Sequence, residues 1–147
     1  HAGTDQANFQ FNGSTNSGSA YNTTKTSNFY YSYNRGSDGA NNFQAQTSLD
    51  LAQSTSFQDI AYNSNVDNYS SLVGSLMIFN PSSTTFVKHF ISTTNDEAQT
   101  SGEQGLSQVC HVTGYMNTTS AVDAIRFQFN SGNMDSGKIK LYGIKDS

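Results

Sequence analysis

The sequence predicts an all-β chain, an antiparallel two-layer β-sandwich of about eight strands. Three observations carry that expectation. Apolar and polar residues alternate with period two around Phe127 and Ile139, the pattern of strands buried on one face. Eighteen Phe and Tyr residues stand among 63 Ser, Thr, Asn and Gln in a chain of 147, too many rings for a disordered polar tract and well suited to pleated surfaces. No stretch shows sustained 3.6-residue periodicity with caps, so little or no helix is expected. Short strands punctuated by turn residues mean a sandwich or a barrel. The length makes one domain, 1–147, large enough to hold a core without cross-links.

Taken in order, Phe9 and Phe11 alternate with Gln10 in a first short strand, and the polar run 13–19 with two glycines is a loop. Residues 21–26 and 27–34 read as further β structure, the second dense in Phe29, Tyr30, Tyr31 and Tyr33. Arg35-Gly36-Ser37-Asp38-Gly39 breaks the run. Residues 43–51 alternate weakly, and residues 57–62 fit another short strand. Residues 72–79 are apolar on both faces, which predicts a central strand covered on two sides. Asn80-Pro81 ends it, because proline cannot donate to a ladder. Residues 85–91 then return, so 72–91 is a predicted hairpin. Residues 93–105 read as a polar, acidic loop with Asp96, Glu97 and Glu103.

Beyond that loop, Cys110, Val112 and Met116 share one strand face. The chain closes on residues 121–144. There Ile125, Phe127 and Phe129 alternate with Arg126 and Gln128, and Ile139 and Leu141 alternate with Lys138 and Lys140. The residues between, 130–137, tolerate positive φ or bond their own backbone, so a second, closing hairpin is predicted. Phe9, Phe11, Leu76, Ile78, Ile125, Phe127, Phe129, Ile139 and Leu141 are the expected inward side chains.

The formal charge of -4 and a pI near 5.0 argue against nucleic-acid and anionic-membrane partners, since neutralising phosphates needs clustered Lys and Arg. No apolar run approaches a membrane span, and nothing at the start resembles a signal peptide. The chain opens on His1, which fits a fragment and a processed product equally. A single cysteine, Cys110, forms no internal disulfide framework and reads as a buried thiol used as a small hydrophobe. The Asn-x-Ser/Thr sequons at Asn12, Asn22, Asn68 and Asn117 occur at the frequency that 37 Ser and Thr in 147 residues give by chance.

Chemistry-bearing motifs are few. His1, His89 and His111 have no metal-ligand spacing, and the latter two read as partly exposed strand residues. No serine sits in a nucleophile elbow. A carboxylate pair for glycoside hydrolysis can be drawn from Asp96, Glu97, Glu103, Asp123 and Asp135, but any chain with 11 acids offers such pairs. The runs 93–97 and 130–135 come nearest to calcium loops and read as solvated turns. No catalytic, cofactor or metal site is therefore assigned, and no enzyme activity is expected.

The closing segment, with Leu141-Tyr142-Gly143-Ile144-Lys145 at its end and Asn80-Pro81-Ser82-Ser83-Thr84 upstream, resembles the C-terminal half of a group of tailed-bacteriophage and prophage virion proteins, tail-fibre or structural proteins. The likeness is close over residues 72–145 and weaker before. It implies a jelly-roll-like sandwich on a virus particle, assembled in the bacterial host cytoplasm, without catalytic residues. Relatives of that pattern carry further strands ahead of the region matching Asn8, so sandwich edges covered by a neighbouring copy or another virion protein are expected. The resemblance also implies a homotrimer. Tyr30, Tyr31, Tyr33, Tyr62, Tyr69 and Tyr115 exceed what one core absorbs and suit an interface or solvated strand faces. Two functions fit: a structural domain of the tail fibre, tail or capsid surface, and a lectin-like module recognising cell-surface carbohydrate through Tyr, Asn, Gln and Asp on loops.

Overall fold

The computed structural model describes residues 1–67, 70–98 and 105–144. Eight strands follow in chain order: β1 (Ala7–Ser14), β2 (Lys25–Arg35), β3 (Asn41–Ala45), β4 (Gln58–Ser64), β5 (Leu72–Ile78), β6 (Lys88–Ala98), β7 (Leu106–Met116) and β8 (Ala124–Phe129). A single 3-10 turn at Thr47–Leu49 completes the regular structure of the described residues. The strands form two antiparallel sheets, a three-stranded layer β4-β1-β8 and a five-stranded layer β3-β2-β7-β6-β5. The two-layer all-β sandwich expected from alternation is what forms.

Alternation decides which side chains face between the layers. Phe29 of β2, Phe90 of β6 and Cys110, Val112 and Met116 of β7 meet Phe11 of β1 and Ile60 of β4 in one cluster. Phe11 meets Phe90 edge-on at 5.0 Å, and Tyr62 meets Phe29 likewise at 6.5 Å, geometries that the ring quadrupole favours. Phe9 stacks on Phe127 and meets Phe129 at a tilt, and Leu76, Ile78, Ile125 and Phe127 are half-buried against the cluster. Gly114 is required by this packing: a Cβ there would stand 2.4 Å from the Thr26 carbonyl oxygen and 2.7 Å from the Phe90 ring.

Polar residues also point inward, and each finds a partner. Lys25 and Lys88 flank Met116 on neighbouring strands and are fully buried. The Lys25 ammonium donates to Asn12 Oδ1 at 2.6 Å and to the Thr23 carbonyl at 2.7 Å, while Lys88 donates to the Phe86 and Thr118 carbonyls at 3.0 Å. At the other end of the inner layer, Thr94 donates to the Ile60 carbonyl at 2.7 Å and Ser64 donates to Asp96 at 3.1 Å, tying β4 to β6. Buried polar groups left unpaired cost about 1–3 kcal/mol each, so these bonds fix how the layers register.

Several sequence expectations are corrected. The acidic run 93–98 is strand, not loop, because Thr94 and Asp96 are satisfied inside the sandwich. Residues 99–104, with Glu103, lie outside the described residues. Strand β5 is an edge strand rather than a central one, and its outer residues Val73 and Met77 stay exposed. Its hairpin with β6 does form, in register from Leu72 opposite Asp96 to Ile78 opposite Phe90. The closing hairpin does not. Among the described residues β8 pairs with β1 alone, residues 138–144 carry no strand, and Ile139 and Leu141 are exposed rather than inward.

Candidate functional site

The outer face of the five-stranded sheet gathers exposed apolar side chains from several strands. The registers arrange it in rows running across the strands. One row reads Val73, Asn95, Val109, Ser32 and Phe43. The next reads Ser75, Thr93, His111, Tyr30 and Ala45, and a third carries Met77, Ile91, Thr113 and Asn28. Phe43, Val73, Met77, Phe79, Ile91 and Val109 are all exposed on or beside this face.

At the β3 end the face dips into an open recess of about 410 Å³, lined by Asn34, Asn41, Asn42, Phe43, Ser107 and Val109 among others. Phe43 is 72% exposed, and its ring lies parallel to Tyr30 at 6.1 Å. An exposed flat ring with the Asn34 and Asn41 amides on the same face is chemistry suited to stacking on a sugar ring and bonding its hydroxyls. Charge is scarce on the face. Glu97 accepts from the Ser70 hydroxyl at 3.1 Å and the Gly105 N–H at 2.9 Å, and His111 Nδ1 lies 3.0 Å from the Thr93 hydroxyl.

The chain matches no protein-family model, no curated protein and no solved structure.

The residues weighed from sequence do not converge. His89 stands opposite Tyr115 and His111 opposite Thr93, four residues apart along their strands, so the two imidazoles do not meet; both are exposed strand histidines. His1 Nε2 lies 3.2 Å from the Asp67 carbonyl oxygen. Asp96 is buried and Glu97 faces outward, on opposite sides of β6. Asp123 accepts the Ser17 N–H at 3.0 Å, whereas Asp135 adjoins the N-terminal segment through its N–H to the His1 carbonyl at 3.2 Å. Among the described residues no group of three His, Cys, Asp or Glu side chains is placed to hold a metal ion. Cys110 is fully buried, and burial pushes its thiol up to about 12, so it acts as core.

Burial also raises the Asp96 carboxyl to about 7, and burial lowers the Lys25 ammonium to about 7. Neither group opens onto a recess that holds a substrate; the space beside Asp96, Ser64 and His1 is about 10 Å³, room for roughly one water. Of the tyrosines, Tyr31 and Tyr62 pack on each other at 5.5 Å inside the sandwich, while Tyr30 and Tyr115 lie on the outer face. Tyr69 lies outside the described residues. The recess is not legible in the sequence, because Asn34, Asn41, Phe43 and Val109 come from three strands whose pairing no local pattern reveals.

Proposed function

We propose that the chain is a non-enzymatic structural module of a bacteriophage virion, a tail-fibre, tail or capsid-surface domain that mediates assembly and host-surface attachment. One observation carries this: a five-strand face with six exposed large apolar side chains and almost no charge. Faces of that kind on soluble domains meet other protein surfaces. The resemblance of the closing segment to tailed-phage virion proteins supports the same reading. Homotrimeric assembly with contacts to other virion proteins, and no nucleic-acid or membrane insertion, belong to the proposal. Mass spectrometry of purified particles should find the chain in stoichiometric amount; particles lacking it would remove the virion assignment.

The second reading, carbohydrate recognition, is favoured by the recess beside Phe43. A glycan array should show a saccharide whose binding Phe43→Ala abolishes while the fold, read by circular dichroism, stays intact. An array without any binder would leave assembly as the sole role.

A further inference from the structure

Residues 138–144 read Lys-Ile-Lys-Leu-Tyr-Gly-Ile, a strand sequence by alternation, yet they bond to no described residue. Ile139 is 55% exposed, Tyr142 76%, Ile144 86% and Leu141 90%. Four large apolar side chains held in water within six residues are costly relative to burial. Meanwhile the β4-β1-β8 layer is two strands short of the layer it faces, and β8 presents a free edge beside the half-buried Ile125 and Phe127. Unpaired edges of this kind invite a strand from elsewhere.

The tail cannot take that edge in its own molecule while its connector stays where it is. A hairpin needs residues 130–137 to reverse the chain. Instead they continue along the N-terminal segment: Asn130 N–H to the Asn8 carbonyl at 3.0 Å, Gly3 N–H to Asn133 at 2.8 Å, Met134 bridged to Ala2, and the His1 amine to Ser136 at 2.8 Å. Gly132 makes the docking feasible, with φ of 69° and Thr4 where a Cβ would be.

We propose that residues 138–144 of one chain add as a strand to the free β8 edge of a second copy, placing Ile139 and Leu141 beside Ile125 and Phe127 and extending the short layer. Charge favours this occupant. The tail carries Lys138 and Lys140 and no acid, while residues 1–137 hold ten acids against four bases, two of which are the buried Lys25 and Lys88. Arg126, the one base on β8, is drawn over the Tyr21 and Phe57 rings at 6.0 and 5.9 Å and does not block the edge by pairing there. Each exchange adds backbone bonds as well as apolar contact, and two exchanged tails bury on the order of 1,000 Å², where specific interfaces begin. Nothing in the exchange requires a virion, so it stands or falls apart from that assignment.

The full chain should sediment as an oligomer at tens of micromolar, and the double variant Ile139→Lys with Leu141→Lys, which alters only exposed positions, should sediment as a single folded chain. A wild-type monomer, or an oligomer that survives the double variant, overturns the exchange. Location is read by mixing a Lys140→Cys chain with a Gln128→Cys chain and adding a short thiol cross-linker, with native Cys110 buried out of reach. Covalent mixed dimers support the β8 edge. Cross-linking of Lys140→Cys to Val73→Cys on β5 instead overturns it.

Discussion

Between Ile78 and Lys88 the chain reverses; beyond Phe129 it runs on. Both connections are rich in Asn and Ser, so composition does not separate them. What differs is where their backbone groups are spent. In the first, Asn80 takes a positive φ of 47°, the Ser83 N–H returns to the Asn80 carbonyl at 3.0 Å, and the Ser83 hydroxyl accepts from Thr85 and Phe86. The turn satisfies itself and hands β6 back to β5. In the second, the N–H and carbonyl groups of residues 130–136 bond outward to residues 1–8, and the reversal is lost. A turn-forming composition makes a hairpin when its own bonds close it, and becomes an extension when another segment supplies better partners.

Four measurements test that contrast, in order of decreasing effect. Phe90→Ala, in the closed hairpin, should cost about 3–5 kcal/mol in denaturant unfolding. Leu141→Ala, in the open one, should shift the dilute monomer by less than about 0.5 kcal/mol. Comparable losses would mean that the tail is packed in the single chain. Gly132→Ala forces a side chain into a left-handed backbone position against Thr4 and should cost roughly 1–3 kcal/mol. It should also loosen residues 1–4 and 130–136 together, seen as faster amide exchange in both. Exchange rising in only one segment would show that they do not hold each other.

The third measurement varies pH on the closed hairpin, where Asp96 stands opposite Leu72. Burial raises its carboxyl from 3.8 to about 7, so the folded chain keeps a proton that the unfolded chain releases. Its contribution is full below 3.8 and is lost as pH rises to about 7. Lys25, lowered from 10.5 to about 7, contributes in the opposite window: stability present above 10.5 is lost as pH falls to about 7. Thermal unfolding should therefore show a shallow minimum near neutrality. Asp96→Asn should flatten its acid side, and an unchanged profile would show that Asp96 is ionised throughout. Last, Asn80→Ala should cost about 1 kcal/mol and Asn80→Gly nothing, because only the left-handed backbone separates them.

The sequence makes strands legible wherever inward positions are apolar. Phe9, Phe11, Ile125, Phe127 and Phe129 all face or flank the core as alternation requires. Legibility fails where inward positions are polar. Lys25, Lys88, Thr94 and Asp96 interrupt the apolar period, and there the strand ends depart from the expected ones: β2 begins at Lys25 rather than Tyr21, and β6 runs from Lys88 through Ala98 rather than over 85–91. It fails again for partners. A strand that is apolar on both faces, such as β5, is either covered twice or waiting for a cover, and the residues alone do not say which. The face and recess depend on cross-strand registers, which are long-range facts that no window of sequence contains.

The buried Lys25 and Asp96 have an effect on the whole molecule in an electric field. Both sit near 7, one losing a positive charge and the other gaining a negative one as pH climbs through neutrality. Composition assigns each a fixed charge there, within a formal total of -4 at pH 7. The folded chain should instead swing by about two charges between roughly pH 6 and 8. On an anion exchanger its retention would climb more steeply across that interval than that of the unfolded chain, in which Lys25 and Asp96 hold fixed charges. A dense array of copies would hold a reservoir of exchangeable protons at neutrality, set inside the sandwich rather than on its surface.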